Sequence, residues 1–267
     1  MHGAGNDFVM INDMDERCRL SRAVIAGLCS RHRGIGGDGL ILVRPSAKGS
    51  FAMRYFNSDG GEADMCGNGA RCAAAFAHES GIAGRSMTFE SGAGVVSAEI
   101  LEEAVRIGIA DVRGLRLGMR IASTERPVHF GICGVPHAVV VVEDVRILTH
   151  DEFVRFARDV RRDPAFGTAG ANVSIVSVVG PGRCAYRTYE RGVEEETFAC
   201  GTGAVVIATV LAHLGLIEPP VICETRGGDR LDVAMTTTPE GATGCFLTGP
   251  VAVSFHGTFR VEDYEHL

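Results

Sequence analysis

Hydrophobic positions fall in short runs separated by polar and glycine-rich breaks, a pattern of strands interrupted by a few helices. Phe8-Val9-Met10-Ile11 is the first run and predicts a strand. The spacing then predicts a helix over residues 21–31 capped by Ser21, a glycine loop, and strands over 40–43 and 51–56. Residues 68–80 are alanine-rich and helical, with Gly81 as the stop. Short β runs follow at 87–89, 95–100 and 105–109. The second half repeats the grammar: strands over 128–132 and 138–142, a helix over 151–160, strands over 173–179 and 184–189. A helix over 202–214 is stopped by Gly215, and further strands are expected as far as 255. Many strands without strict βαβ alternation give an α+β class.

An internal repeat underlies this order. Cys66 and Cys200 stand 134 positions apart, and at that offset Glu62 meets Glu196, Gly67 meets Gly201, Gly69 meets Gly203 and Ala70 meets Ala204. Ala74 and Ala208, Gly81 and Gly215, Glu90 and Glu224, and Gly94 and Gly228 also coincide. Two pseudo-symmetric domains are expected, 1–112 plus 250–267 and 113–249, with a ligand cleft receiving one Cys-Gly-x-Gly turn from each.

Composition narrows the function. At 267 residues, 46% hydrophobic and 22% charged, the chain is a soluble globular protein rather than a disordered, collagenous or coiled-coil one. A net charge of −7 disfavours nucleic acid and membrane surfaces as partners. No apolar run nears the ~18 residues of a membrane span, and the longest, Ala138-Val139-Val140-Val141-Val142, predicts a buried strand. The start lacks a secretory pattern, so a reduced, cytoplasmic protein is expected, and Asn172-Val173-Ser174 is a chance glycosylation match. Nine cysteines, an odd number, agree with reduced thiols. The single lysine, Lys48, lies in a polar stretch, which disfavours a pyridoxal-phosphate Schiff base.

The strongest chemical signals are Met65-Cys66-Gly67-Asn68-Gly69-Ala70-Arg71 and Ala199-Cys200-Gly201-Thr202-Gly203-Ala204. In each, a cysteine precedes glycines that open a helix, where unpaired amides and the positive dipole end favour thiolate and offer a carboxylate site. A single such cysteine is ordinarily a small buried hydrophobe; two in matched positions of a repeat point to function. No Cys-x-x-Cys pair supports dithiol exchange, and no zinc-ligand spacing or His-Glu-x-x-His helix is present, so no metal is expected. Two thiols on opposite walls of a cleft suit two-base proton exchange at a stereocentre, with the partners starting in opposite protonation states. Gly34-Ile35-Gly36-Gly37-Asp38-Gly39 fits G-x-G-x-x-G, but it follows a helix and precedes a strand. That is the reverse of a dinucleotide fingerprint, so the loop is assigned to shaping the cleft or the packing.

These motifs resemble the diaminopimelate epimerase family. His2-Gly3-Ala4-Gly5-Asn6-Asp7-Phe8, Phe56-Asn57-Ser58-Asp59-Gly60, both cysteine motifs and Tyr189-Glu190-Arg191-Gly192 carry the resemblance, with Gly170-Ala171-Asn172-Val173 and the 34–38 loop in the same order. It covers nearly the whole chain. It implies a cofactor-independent isomerase that interconverts LL- and meso-2,6-diaminopimelate for lysine and peptidoglycan precursors. The implied fold has two domains, each a mixed sheet around a central helix, commonly in a homodimer. By motif, Cys66 and Cys200 are the acid–base pair, and Gly67, Asn68, Gly201 and Thr202 hold the reacting carboxylate. Asn6, Asn57, Asn172 and Arg191 fix the distal end, where Arg suits a bidentate carboxylate clamp. Glu190 and His137 tune the thiols or hold the substrate ammonium.

Two alternatives stay open at this level. A related cofactor-independent racemase on another amino acid, of histidine or proline type, shares the two-thiol logic. Proline-racemase-like enzymes resemble Met-Cys-Gly-His-Gly at the first site, where this chain has Asn68. A redox protein would join Cys66 and Cys200 in a reversible disulfide. Val135 stands where the family often has Asn in Gly-Asn-Pro-His, which bears on distal-end recognition. Cys18, Cys29, Cys72, Cys133, Cys184, Cys223 and Cys245 lack such context and are expected to be packing residues.

Overall fold

The strand Asn6–Asn12 runs parallel to Gly39–Arg44, and Leu40, Ile41, Leu42 and Val43 of the latter are all buried. A strand apolar at successive positions needs cover on both faces. Helix α1 (Arg22–Cys29) supplies one cover, packing Val24, Ile25 and Leu28 on Val9, Leu40 and Leu42. Helix α2 (Gly67–Glu79) supplies the other, and a Cβ on its Gly69 would stand 2.9 Å from Ile41 Cδ1, so any larger residue there would have to displace the Ile41 side chain.

The computed structural model describes residues 1–264, and the chain divides into a unit formed by Met1–Ile107 with the segment from Gly249, and a unit formed by Gly108–Thr248. The expected first domain runs to 267, and its last three residues lie outside the described ones. In the first unit, Ala52–Asn57 pairs antiparallel with Gly39–Arg44 and with the short strand Glu62–Ala63, which leads into α2. Ser86–Ser91, Gly94–Ile100 and Val105–Gly108 follow as successive hairpins. Alanines 70, 73, 74, 75 and 77 of α2 are buried, small enough for strands to close around the helix.

The second unit has the same order of elements. Val135–Val141 pairs in parallel with Asn172–Gly180 across α3 (His150–Arg161), whose N-terminus carries a Thr149–Glu152 capping box. Arg183–Glu190 and the short Glu195–Thr197 lead into α4 (Gly201–His213), followed by Val221–Glu224, Arg230–Thr238 and Gly241–Gly249. A further hairpin, Arg113–Ile121 with Thr124–Cys133, precedes this repeat. The central α4 is buried almost throughout, and its low polarity contrasts with the amphipathic α3.

The expected elements are present, and the longer ones differ from expectation at three places. Helix α1 stops at Cys29 rather than 31, because Ser30 turns extended and donates its N–H to Gly27 O. The strand Arg113–Ile121 was not expected; Gly114 and Gly118 in its course have φ of 61° and 65°, which interrupts a regular strand pattern. The strands expected up to 255 end at Gly249, where Pro250 removes a ladder donor. Beyond it, His2 and Ala252 form an isolated bridge.

Candidate active site

Each Cys-Gly-x-Gly segment opens a central helix, with Cys66 capping α2 and Cys200 capping α4 in extended conformations. Around Cys66, the thiol donates to Asn6 Oδ1 at 3.4 Å, and Asn68 Nδ2 donates to the same oxygen at 3.3 Å. Asn6 Nδ2 donates to Asp38 Oδ2 at 2.7 Å. A carboxylate only accepts, so Asp38 decides which end of the Asn6 amide faces Cys66. Arg31 bonds Asp38 Oδ1 at 2.8 Å and grips both oxygens of Asp7. Burial would raise the Asp7 carboxyl, but the Arg31 bonds and charge hold it below the usual range. Asn68 is buried, and its Oδ1 accepts from the fully buried Arg71 at 2.8 Å. Asn57 ends its strand opposite Gly39, exposed, with Oδ1 accepting from the Tyr55 hydroxyl at 2.7 Å.

Cys200 is 5% exposed and sits among side chains of its own unit. Its Sγ lies 3.6 Å from Thr202 Oγ1, which lies 3.0 Å from His137 Nε2. The Glu190 carboxyl accepts from Thr197 Oγ1 at 2.6 Å, and its charge acts on the Cys200 thiol. Burial first, then the Glu190 charge, push the Cys200 thiol well above its ordinary range, against hydrogen bonds from Thr202 and the Gly203 N–H. The helix start was expected to favour thiolate; at Cys200 enclosure outweighs it, and the residue rests as a thiol at neutral pH. Burial also raises the Glu190 carboxyl, although hydrogen bonds from Thr197 and Cys200 moderate the effect. His137 is fully buried, and burial followed by the Arg191 charge pulls its imidazole down to about 3, so it is neutral. Its Nδ1 has no hydrogen-bond partner among the described residues. Asn172 Oδ1 accepts the Arg191 N–H at 2.8 Å and so places the start of the Arg191-Gly192 turn. A Cβ on Gly203 would stand 3.3 Å from Cys200 Sγ and 3.5 Å from His137 Cε1.

The first unit thus brings together Cys66, Asn6 and Asn68, and the second brings together Cys200, Thr202, Glu190 and His137, with Asn172 beside Arg191. Gly67 and Gly201 are the first residues of their helices. Among the other cysteines, Cys72 and Cys133 are buried and pushed up to about 12 by burial, consistent with inert packing thiols.

Four participants were not named from the sequence: Asp38, Arg71, Thr197 and Tyr186. Asp38 lies within the glycine loop assigned to shaping the cleft or the packing. Tyr186 carried a usable signal, since it lies four residues before Glu190 on one strand and therefore on the same face. Its hydroxyl donates to Cys200 O at 3.1 Å and accepts from Cys200 N–H at 3.2 Å.

Among the described residues no group of three or more His, Cys, Asp or Glu is placed to hold a metal ion, and no helix is long and apolar enough to cross a membrane. A family model described as diaminopimelate epimerase matches residues 1–112 and 132–253. The diaminopimelate epimerase of Aquifex aeolicus is 38% identical over 280 aligned residues, covering 100% of this chain and 98% of that protein. Among solved structures, a phenazine biosynthesis protein of the PhzF family from Bacillus anthracis aligns with a TM-score of 0.69 at 15% identity, covering 94% of this chain and 92% of that one. A probable proline racemase from Agrobacterium radiobacter aligns with a TM-score of 0.68 at 15% identity, covering 93% and 88%. At that identity these two structures show a shared fold.

Proposed function

The chain belongs to the diaminopimelate epimerase family, and from that premise we propose that it interconverts LL- and meso-2,6-diaminopimelate by two-cysteine proton exchange. One cysteine, as thiolate, removes the α-proton of the bound amino acid. The other, as thiol, delivers a proton to the opposite face. The carbanion that forms between these steps is stabilised by hydrogen bonds to its carboxylate, for which the amides of Gly67-Asn68 and Gly201-Thr202 at the two helix starts are suited. Configuration inverts, the two sulfurs exchange protonation states, and no cofactor takes part. Exchange with solvent resets the pair.

The observation that carries this reading is the matched pair of cysteine-capped central helices, one in each unit. The resting thiol of Cys200 supports its entering the cycle as the acid, which gives Cys66 the base's role for the isomer whose α-hydrogen it reaches. Asn6, Asn57, Asn172 and Arg191 are assigned to the distal carboxylate and ammonium. His137, neutral and bonded to Thr202, and Glu190, whose charge acts on Cys200, are assigned to holding the acid thiol and the substrate amino group. By the same family resemblance we propose that it acts in the cytoplasm, as a homodimer, at the step feeding lysine and peptidoglycan precursors.

The test is incubation of reduced protein with LL-diaminopimelate in D2O, following α-deuterium and isomer composition. Inversion with α-deuteration is expected, and Cys66→Ala and Cys200→Ala should each nearly abolish it while leaving the fold intact. Exchange with another amino acid but not with diaminopimelate would turn the reading to a different racemase. Near-normal turnover in either cysteine variant would remove the two-base assignment.

A further inference from the structure

We propose that Tyr186 is a positioning residue for Cys200, holding the proton donor by its main chain; the inference rests on the two-cysteine reading above. A phenol hydroxyl both donates and accepts, and here it does both to one residue, accepting the Cys200 N–H at 3.2 Å and donating to the Cys200 carbonyl at 3.1 Å. That carbonyl already accepts the Ala204 N–H at 2.9 Å as the first bond of α4. The N–H of a cap residue has no acceptor within its own helix, so the phenol meets a need that α4 itself leaves open. With both main-chain groups tied, the Cα–Cβ direction of Cys200 is fixed and only one side-chain torsion remains to place the sulfur. Glu190 lies four residues further along the same strand and on the same face, and its charge acts on the Cys200 thiol. One strand face therefore ties the backbone of Cys200 and carries the carboxylate that acts on its thiol.

The hydroxyl performs this role only while protonated. Tyr186 is 2% exposed, and burial keeps the phenol well above its ordinary range. The first unit has a different residue at this place. Counting back from the matching strand ends, Asn57 and Glu190, the position of Tyr186 is occupied by Met53, which has no hydroxyl.

A buried tyrosine that merely fills space would also be costly to remove, so the test separates packing from positioning. Tyr186→Phe keeps the ring and deletes only the hydroxyl; Tyr186→Met, the first unit's residue, repeats the test should the bare ring pack poorly. For each variant, kcat and KM for LL-diaminopimelate are measured per folded molecule. Peptide-resolved iodoacetamide alkylation of Cys66 and Cys200 is followed across pH. A catalytic group displaced by a fraction of an ångström predicts a kcat lower by about tenfold to a hundredfold, with KM little changed. The loss should be the same in both directions, because the equilibrium constant is fixed. The alkylation profile of Cys200 should move while that of Cys66 stays in place. Unchanged kcat in the folded variants, or equal shifts at both cysteines, would overturn the proposal. If Cys200→Ala retains turnover, the two-cysteine reading itself fails. If Cys200→Ala is inactive and Tyr186→Phe behaves as wild type, only the positioning role fails.

Discussion

Glu196→Gln removes the carboxylate charge from an ion pair enclosed by the second unit. The side chains of Arg187 and Glu196 are 6% and 4% exposed, and they meet in a fork, Nε to Oε1 at 2.7 Å and NH2 to Oε2 at 2.9 Å. Arg187 also donates to Leu148 O at 2.6 Å and lies 4.5 Å over the Phe153 ring. Glutamine keeps one acceptor but turns an amide NH2 toward the guanidinium, stranding a buried charge at a cost of ~3–5 kcal/mol. The first unit provides an internal control, because Glu62 matches Glu196 in the repeat and pairs with Arg54. There the side chains are 41% and 48% exposed, so Glu62→Gln should cost only ~0–1 kcal/mol. For a unit the size of Gly108–Thr248, the larger loss corresponds to a melting temperature lower by roughly 10 °C or more.

Circular dichroism during urea and thermal unfolding of the wild type and both variants reads the difference, and hydrogen exchange localises it to one unit. The pH dependence gives a second check. Burial would raise the Glu196 carboxyl, but hydrogen bonds from Arg187 and His150 hold it below its ordinary range. A lowered carboxyl contributes stability that is fully present above the unfolded glutamate pKa of ~4.3 and is lost as pH falls through the folded value. The gap between wild type and Glu196→Gln should therefore close in acid. Equal destabilisation by the two Gln variants, or a gap that widened in acid, would refute the reasoning from burial.

Asp38→Asn lets the Asn6 amide turn over, and losing one charge-assisted hydrogen bond of ~1.5–3 kcal/mol should lower kcat/KM by roughly tenfold, measured with LL-diaminopimelate against an Asn6→Ala control. His137→Gln should lower activity yet leave the acid limb of the kcat/KM profile in place, since an imidazole held at about 3 does not titrate near neutrality; loss of a limb between pH 5 and 8 in pH-rate measurements would contradict its neutral state. Gly203→Ala places a methyl 3.3 Å from Cys200 Sγ and should reduce turnover far more than it reduces the melting temperature.

The cysteine pair was legible because both of its signals are local and repeated: a thiol, then glycines, then a helix that ends at a glycine with positive φ, Gly81 at 72° and Gly215 at 67°. The strands Glu62–Ala63 and Glu195–Thr197 were not, because two or three residues carry no period and are defined only by their hairpin partners. Asp38 and Tyr186 escaped for a related reason. Their partners are 32 and 14 residues away in the chain, and no local pattern reports such a contact. The protonation of Cys200 shows the limit most sharply. The helix start seen in the sequence does favour thiolate, and the Gly203 amide acts in that direction, but the enclosure that reverses the outcome comes from residues spread over the unit. A local motif therefore does not by itself fix the protonation of its thiol. The two halves depart from each other where Met53 faces Tyr186 and Asn57 faces Glu190 in the strand-by-strand correspondence. Both departures fall on the strand that holds Cys200. Symmetry of the motifs thus does not extend to the surroundings of the two cysteines, which differ at these two positions.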